Sequence, residues 1–180
     1  MSHDESARGG AGGPAPLILT LRFDEAAFAR LDALRRAHFP PERNLIPAHL
    51  TLFHALPGEA LEEIADNLRT ACAGTPPVPL AVTGPRSLGR GVALEVEAPP
   101  LLRLRRLLAQ HWAPWLSRQD AAGWRPHVTV QNKVPPEAAR ALLEGMAAGF
   151  APWEARGEGL LLWHYRGGPW EPAGDFPFLG

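Results

Sequence analysis

The chain has 180 residues, the size of one domain and long enough to bury about 70 % of its unfolded surface without a metal or a disulfide. Apolar residues make up 46 % and charged residues 21 %, and 18 glycines with 20 prolines stay below the roughly 25–30 % that marks a disordered chain. A net charge of −1 excludes a protein that grips long duplexes through a basic stripe, so any nucleic-acid role is local: a terminus, a loop or a small nucleotide.

The single cysteine, Cys72, allows no disulfide within the chain and no Cys-rich zinc site, and is expected as a small buried side chain at a helix end. No run approaches the roughly 18 apolar residues of a membrane span. Met1-Ser2-His3-Asp4-Glu5 is polar and acidic where a signal peptide is basic and then apolar, so a cytoplasmic location is expected.

Residues 1–15, glycine-rich and without periodicity, read as a flexible tail before a single domain over 16–180. Leu17-Ile18-Leu19-Thr20-Leu21-Arg22-Phe23 reads as a strand. Asp24 then caps a helix with Ala27, Phe28, Leu31 and Leu34 at helical spacing, ending near His38. A strand over 48–54 follows Pro47, a helix over 59–72 buries Leu61, Ile64, Ala65 and Leu68, and a short strand over 78–83 stops at Gly84-Pro85.

The same order then repeats. Residues 91–97 alternate as a strand, and 100–112 form a helix with Leu101, Leu104, Leu107 and Leu108 inward and Arg103, Arg105 and Arg106 outward. A strand over 126–131, a helix opened by Pro135-Pro136 and a closing strand over 159–165 complete it. Two similar lobes, about 16–85 and 91–170, are therefore expected to face each other across a cleft, joined by a hairpin at 86–91. The fold class is α+β, each lobe a mostly antiparallel sheet with two helices.

Each lobe carries one copy of His-x-Thr-x on a strand: His49-Leu50-Thr51-Leu52 and His127-Val128-Thr129-Val130. Residues i and i+2 of a strand share a face, so each His and Thr point together while Leu50, Leu52, Val128 and Val130 pack inward. A lone His-x-Thr means little. Two copies, each just after a proline and 78 residues apart in an internal repeat, carry weight.

These motifs resemble those of the 2H phosphoesterases, the 2′-5′ RNA ligase-like or 2′,3′-cyclic phosphodiesterase superfamily. The element order over 16–170 matches as well, as do the flanking Arg125-Pro126 and Tyr165-Arg166-Gly167-Gly168-Pro169-Trp170. The resemblance implies metal-free hydrolysis of 2′,3′-cyclic phosphates or 2′-5′ linkages, with no cofactor, His49 and His127 as acid and base in either order, and RNA ends or small cyclic nucleotides as partners.

The chemistry itself asks for these groups. Opening a cyclic phosphodiester takes a proton from water and gives one to a ribose oxygen across phosphorus, which two imidazoles perform near neutral pH. Thr51 and Thr129 can donate to the non-bridging oxygens. Regular alternation places Phe53 and Gln131 on the cleft face as substrate-binding candidates, with Arg125, Lys133 and Tyr165 beside them. Arg166 and Trp124 are weaker candidates. The same alternation turns His54 to the opposite face, so His49 and His54 form no metal pair. His38, His111 and His164 read as surface or capping residues. No metal site and no obligate assembly is expected, and a monomer is the reading. A non-catalytic nucleotide binder on the same scaffold is the alternative, and 2′-5′ ligation is the same chemistry in reverse.

Overall fold

The computed structural model describes residues 13–180, so most of the expected tail lies outside the described residues. The first residue after it is held in place: the Pro16 carbonyl accepts from Tyr165 N–H at 2.9 Å. The elements run β1 (Leu17–Phe23), α1 (Glu25–His38), β2 (Thr51–Leu56), α2 (Leu61–Ala73), β3 (Val78–Ser87), β4 (Val92–Glu97), α3 (Pro99–His111), α4 (Arg118–Ala121), β5 (His127–Gln131), α5 (Pro136–Gly149), β6 (Trp153–His164) and β7 (Glu171–Pro177). Asp24 caps α1 as expected, its carboxylate accepting from Ala27 N–H at 2.9 Å.

All seven strands join one antiparallel sheet, in the order β2-β1-β6-β3-β4-β5 with β7 beside β6. Exchanging β1 with β4, β2 with β5 and β3 with β6 reproduces this order, so the sheet has the pseudo-twofold that the repeat implies. Its two sides are not the two halves of the chain, however. The third strand of each half crosses over: β3 pairs with β4, and β6 pairs with β1. The division at 85/91 thus follows the order of elements but not strand partnership, and the expected hairpin spans Ser87 to Val92 within one side.

Three elements exceed the sequence reading. β3 runs through Gly84-Pro85 to Ser87, because beyond Val82 only β4 pairs with it and one side of the strand tolerates proline. β6 begins at Trp153, six residues before the expected start, where it pairs with β3. β7 is absent from the sequence reading, since Pro172, Gly174 and Pro177 obscure a strand that pairs only with β6.

One core underlies the sheet, with Leu17, Leu19, Leu31, Leu50, Leu52, Leu94, Leu101 and Val128 all fully buried. Helix α3 turns differently from expectation: Leu107 is exposed at 65 %, and Arg105 is buried at 8 %. Its inward stripe is Leu101, Leu104, Arg105 and Leu108. Cys72 is buried as expected, and burial pushes its thiol up to about 12, so it is no nucleophile at neutral pH. No helix among the described residues is long and apolar enough to cross a membrane.

Candidate active site

The second motif lies on β5, whereas the first straddles the start of β2: the strand expected over 48–54 begins only at Thr51, so His49 and Leu50 lead into it. β2 and β5 lie at opposite ends of the six-strand path, yet the motif residues line one cavity of about 180 Å³. The sheet is therefore curled into a half-barrel that brings its edges together. His49, Thr51, His127 and Thr129 meet there, with Ile18, His54 and Trp170. Each motif imidazole is anchored in the same way. His49 Nδ1–H donates to the Pro47 carbonyl and His127 Nδ1–H to the Arg125 carbonyl, both at 2.9 Å, which leaves Nε2 of each ring for chemistry.

Because β2 and β5 are edge strands, their outward carbonyls take side-chain donors from the other half of the chain. Trp124 Nε1–H donates to the Thr51 carbonyl and the Arg35 guanidinium to the Thr129 carbonyl, both at 2.9 Å. Arg35 is 4 % exposed, also bonded to Asn44, with its guanidinium 4.0 Å above the Phe39 ring. Burial lowers its pKa, opposed by Asp32.

Burial also pushes His49 down to about 4, opposed by the Pro47 carbonyl and reinforced by Arg35, His127 and His54. Trp170 helps to shut it in, meeting the imidazole edge-on with centroids 4.8 Å apart. His49 is thus neutral at pH 7, with a free Nε2 lone pair.

Both motif strands carry a bulge at the same point. In β2, Thr20 pairs with Thr51 and Leu19 with Phe53, so Leu52 is an extra residue; in β5, Ala93 pairs with Thr129 and Val92 with Gln131, so Val130 is. The extra residue breaks the alternation that placed Phe53 and Gln131 in the cleft. Phe53 is fully buried against Trp112, at 5.2 Å between centroids, and Gln131 is 8 % exposed; neither lines the cavity.

The bulge in β2 has the opposite effect one residue on. His54 comes to the cavity side, not the opposite face. Its ring Nδ1–H donates to Asp120 at 3.0 Å, and the same carboxylate accepts from the backbone N–H groups of His54 and Ala55. Arg105 closes this region from behind, donating to the carbonyls of Leu52 and Asp120 and lying 4.4 Å above the Phe53 ring.

Of the outer candidates, Arg125 is drawn to Glu95, which also holds Arg86, and is not among the residues lining the cavity of the two motifs or those beside it. Arg166 pairs with Glu171. Lys133 and Tyr165 do line a second cavity of about 350 Å³ that opens beside His49 and Thr129, with Arg35, Arg43, Asn132 and Trp170. Lys133 has φ 61°, a left-handed conformation uncommon for a side chain with a Cβ. On the other flank of His49 an apolar cavity of about 450 Å³ is lined by Phe28, Leu45, Ile46, Leu161, Trp163 and Trp170.

A family model described as the 2′-5′ RNA ligase superfamily matches residues 23–169. The chain belongs to this superfamily, the 2H phosphoesterases. Solved structures share the fold of this family. TT0787 of Thermus thermophilus is 19 % identical over 92 % of this chain and 98 % of its own, with a TM-score of 0.64. E. coli LigT complexed with 3′-AMP is 20 % identical over 93 % of this chain and 99 % of its own, with a TM-score of 0.61. A further phosphoesterase has the same identity and TM-score, over 93 % of this chain and all of its own. No curated protein sequence matches the chain. Among the described residues of this 2H phosphoesterase, no group of three or more His, Cys, Asp and Glu could hold a metal ion.

Several members of the site are not apparent from sequence. Arg35 and Arg105 carry a signal, since each falls at helical spacing on an apolar stripe, Ala27-Leu31-Arg35 and Leu101-Leu104-Arg105-Leu108. Asp120 and His54 carry none, because a bulge and a four-residue helix make their meeting.

Proposed function

We propose that this 2H phosphoesterase is a metal-free enzyme that hydrolyses 2′,3′-cyclic phosphates to 2′-phosphates. The observation that carries the reading is the pair of imidazoles from pseudo-equivalent edge strands, each Nδ1-anchored on the carbonyl two residues back, lining one cavity with both threonines. His49, held neutral, takes a proton from water on Nε2 as the water oxygen bonds to phosphorus. His127 gives its Nε2 proton to the 3′ oxygen as the P–O3′ bond breaks. Thr51 and Thr129 donate their hydroxyls to the non-bridging oxygens. Solvent then resets both rings.

The flanking cavities favour an RNA end over a mononucleotide. The lining of the second cavity contains Arg35, Arg43 and Lys133 and no carboxylate, which suits a neighbouring phosphate. The aromatic-walled cavity suits a nucleobase. LigT has been crystallised with 3′-AMP, NADP+ and ATP, in line with a nucleotide ligand for this fold. The same groups run 2′-5′ ligation in reverse, a minor activity in water. The reading takes the chain as a cytoplasmic monomer.

The test is turnover of cyclic mononucleotides, 2′-5′ dinucleotides and cyclic-phosphate-ended RNA, with product regiochemistry read by phosphorus NMR. A 2′-phosphate product, undiminished by EDTA and lost by at least about 10²-fold in kcat in His49→Ala or His127→Ala, is expected. Binding of the same compounds without turnover in the wild type would select the non-catalytic alternative.

A further inference from the structure

The cavity holds a third imidazole that the two-histidine reaction does not use. His54 reaches it past the extra residue Leu52, in a stretch of β2 whose register shifts again between Phe53 and Leu56, and its ring is held by a carboxylate where those of His49 and His127 are not. Those two donate Nδ1–H to neutral carbonyls, whereas His54 donates to the carboxylate of Asp120, whose side chain is 0 % exposed. Burial alone would raise the Asp120 carboxyl, but the His54 ring and the two backbone N–H donors outweigh it and hold it below the usual carboxylate range. Asp120 is therefore a fixed anion behind His54. It holds the ring through Nδ1–H and orients it, which leaves Nε2 as the ring nitrogen for a ligand in the cavity. The Ser117 hydroxyl in turn accepts from Asp120 N–H at 3.2 Å, and Arg105 donates to the Asp120 carbonyl at 2.7 Å, so the carboxylate rests on a braced turn.

We propose that His54 is a third substrate-contacting side chain of the phosphate cavity, donating Nε2–H to a non-bridging phosphate oxygen, with Asp120 as its positioning residue. This rests on the cavity being the phosphate site of the proposed reaction. His54 moves no proton to or from the reacting oxygens in this assignment; it adds a cationic donor beside the Thr51 and Thr129 hydroxyls. It also completes an asymmetry, since the second motif carries Asn132 at the matching position and the pseudo-twofold supplies no second such ring.

The experiment is a titration of the full chain with inorganic phosphate, followed by 15N-labelled histidine side-chain NMR. Three of the seven imidazoles are expected to shift with one dissociation constant, two of them identified by their disappearance in His49→Ala and His127→Ala. In parallel, His54→Gln is expected to weaken phosphate binding and raise KM for a 2′,3′-cyclic phosphate about tenfold while kcat falls less than about threefold, the signature of lost binding rather than lost proton transfer. Only two shifting imidazoles, or unchanged phosphate affinity in a folded His54→Gln, overturns the assignment. So does a large kcat loss at constant KM, which would make His54 a proton-transfer group. The wild-type titration decides even if His54→Gln does not fold. It also decides if the wild type turns over no cyclic phosphate, the result that would instead remove the hydrolase reading.

Discussion

Replacing Arg105 by methionine removes the donors that serve the bulge of β2 while keeping an unbranched side chain in the same space. Arg105 Nε–H donates to the carbonyl of the bulged Leu52 at 3.2 Å and NH2 to the Asp120 carbonyl at 2.7 Å. Losing both leaves two buried carbonyls short of a donor, at about 1–3 kcal/mol each. The guanidinium also lies 4.4 Å over Phe53 and 5.6 Å over Trp124, worth about 2 kcal/mol at a desolvated site. Against this, methionine escapes the cost of burying a charge, several kcal/mol, which already lowers the pKa of Arg105 despite nearby Asp120. The balance is a destabilisation of about 3 kcal/mol, or about 6–12 °C in Tm for a domain of this size. Thermal unfolding followed by near-UV circular dichroism reads it directly, and phosphate affinity should fall in the same variant because the His54 loop loses its brace. A Tm within about 2 °C of wild type would show that the bulge carbonyl needs no internal donor, and the account of how His54 is held would fail.

Other outcomes follow from the site. The pH profile of kcat/KM should rise through about 4 as His49 loses its proton, since a depressed imidazole is the competent base above its own pKa and is lost below it; an ascending limb near 6.5 would contradict a buried, neutral His49. Trp170→Ala uncovers that ring and should move the same limb upward, measured on the same substrate. Lys133→Ala should reduce the salt slope of binding to cyclic-phosphate-ended RNA by about 1 and leave a cyclic mononucleotide unaffected; an equal loss on both would remove the neighbouring-phosphate reading. Gly91→Ala places a Cβ 2.0 Å from the Gln131 carbonyl oxygen, against backbone that cannot give, and should cost about 1–3 kcal/mol or more in chemical denaturation.

The parts of this molecule legible in its sequence are those fixed locally. The strand Leu17–Phe23, the Asp24 cap of α1, the duplicated element order and the second His-x-Thr motif on β5 are set by neighbouring residues and appear where periodicity places them, while the strand of the first motif starts at Thr51, after its histidine. What the sequence hides depends on pairing partners far along the chain. Whether Phe53 and Gln131 face the cleft is decided by one extra residue in each edge strand, and nothing in Leu52 or Val130 marks it as that residue. Arg105 defies its sequence reading because a charged residue on an apolar stripe is ordinarily turned outward, and only the bulge carbonyl behind it makes its burial favourable. β7 is hidden because an edge strand needs neither alternation nor an absence of proline.

The crossing of β3 and β6 governs how the chain can acquire its shape. Leu17 pairs with His164 and Phe23 with Gly157, so the first strand finds its central neighbour only in the final quarter of the polypeptide. A nascent chain emerging amino end first can therefore form helices and the β1–β2 and β3–β4 ladders early, but has no middle to its sheet until residue 164 has been made. Such distant closure slows assembly and leaves apolar strand edges uncovered meanwhile. Cutting the polypeptide at the turn over 88–91 would give two pieces, each holding the third strand that the other needs, and they would become ordered only together.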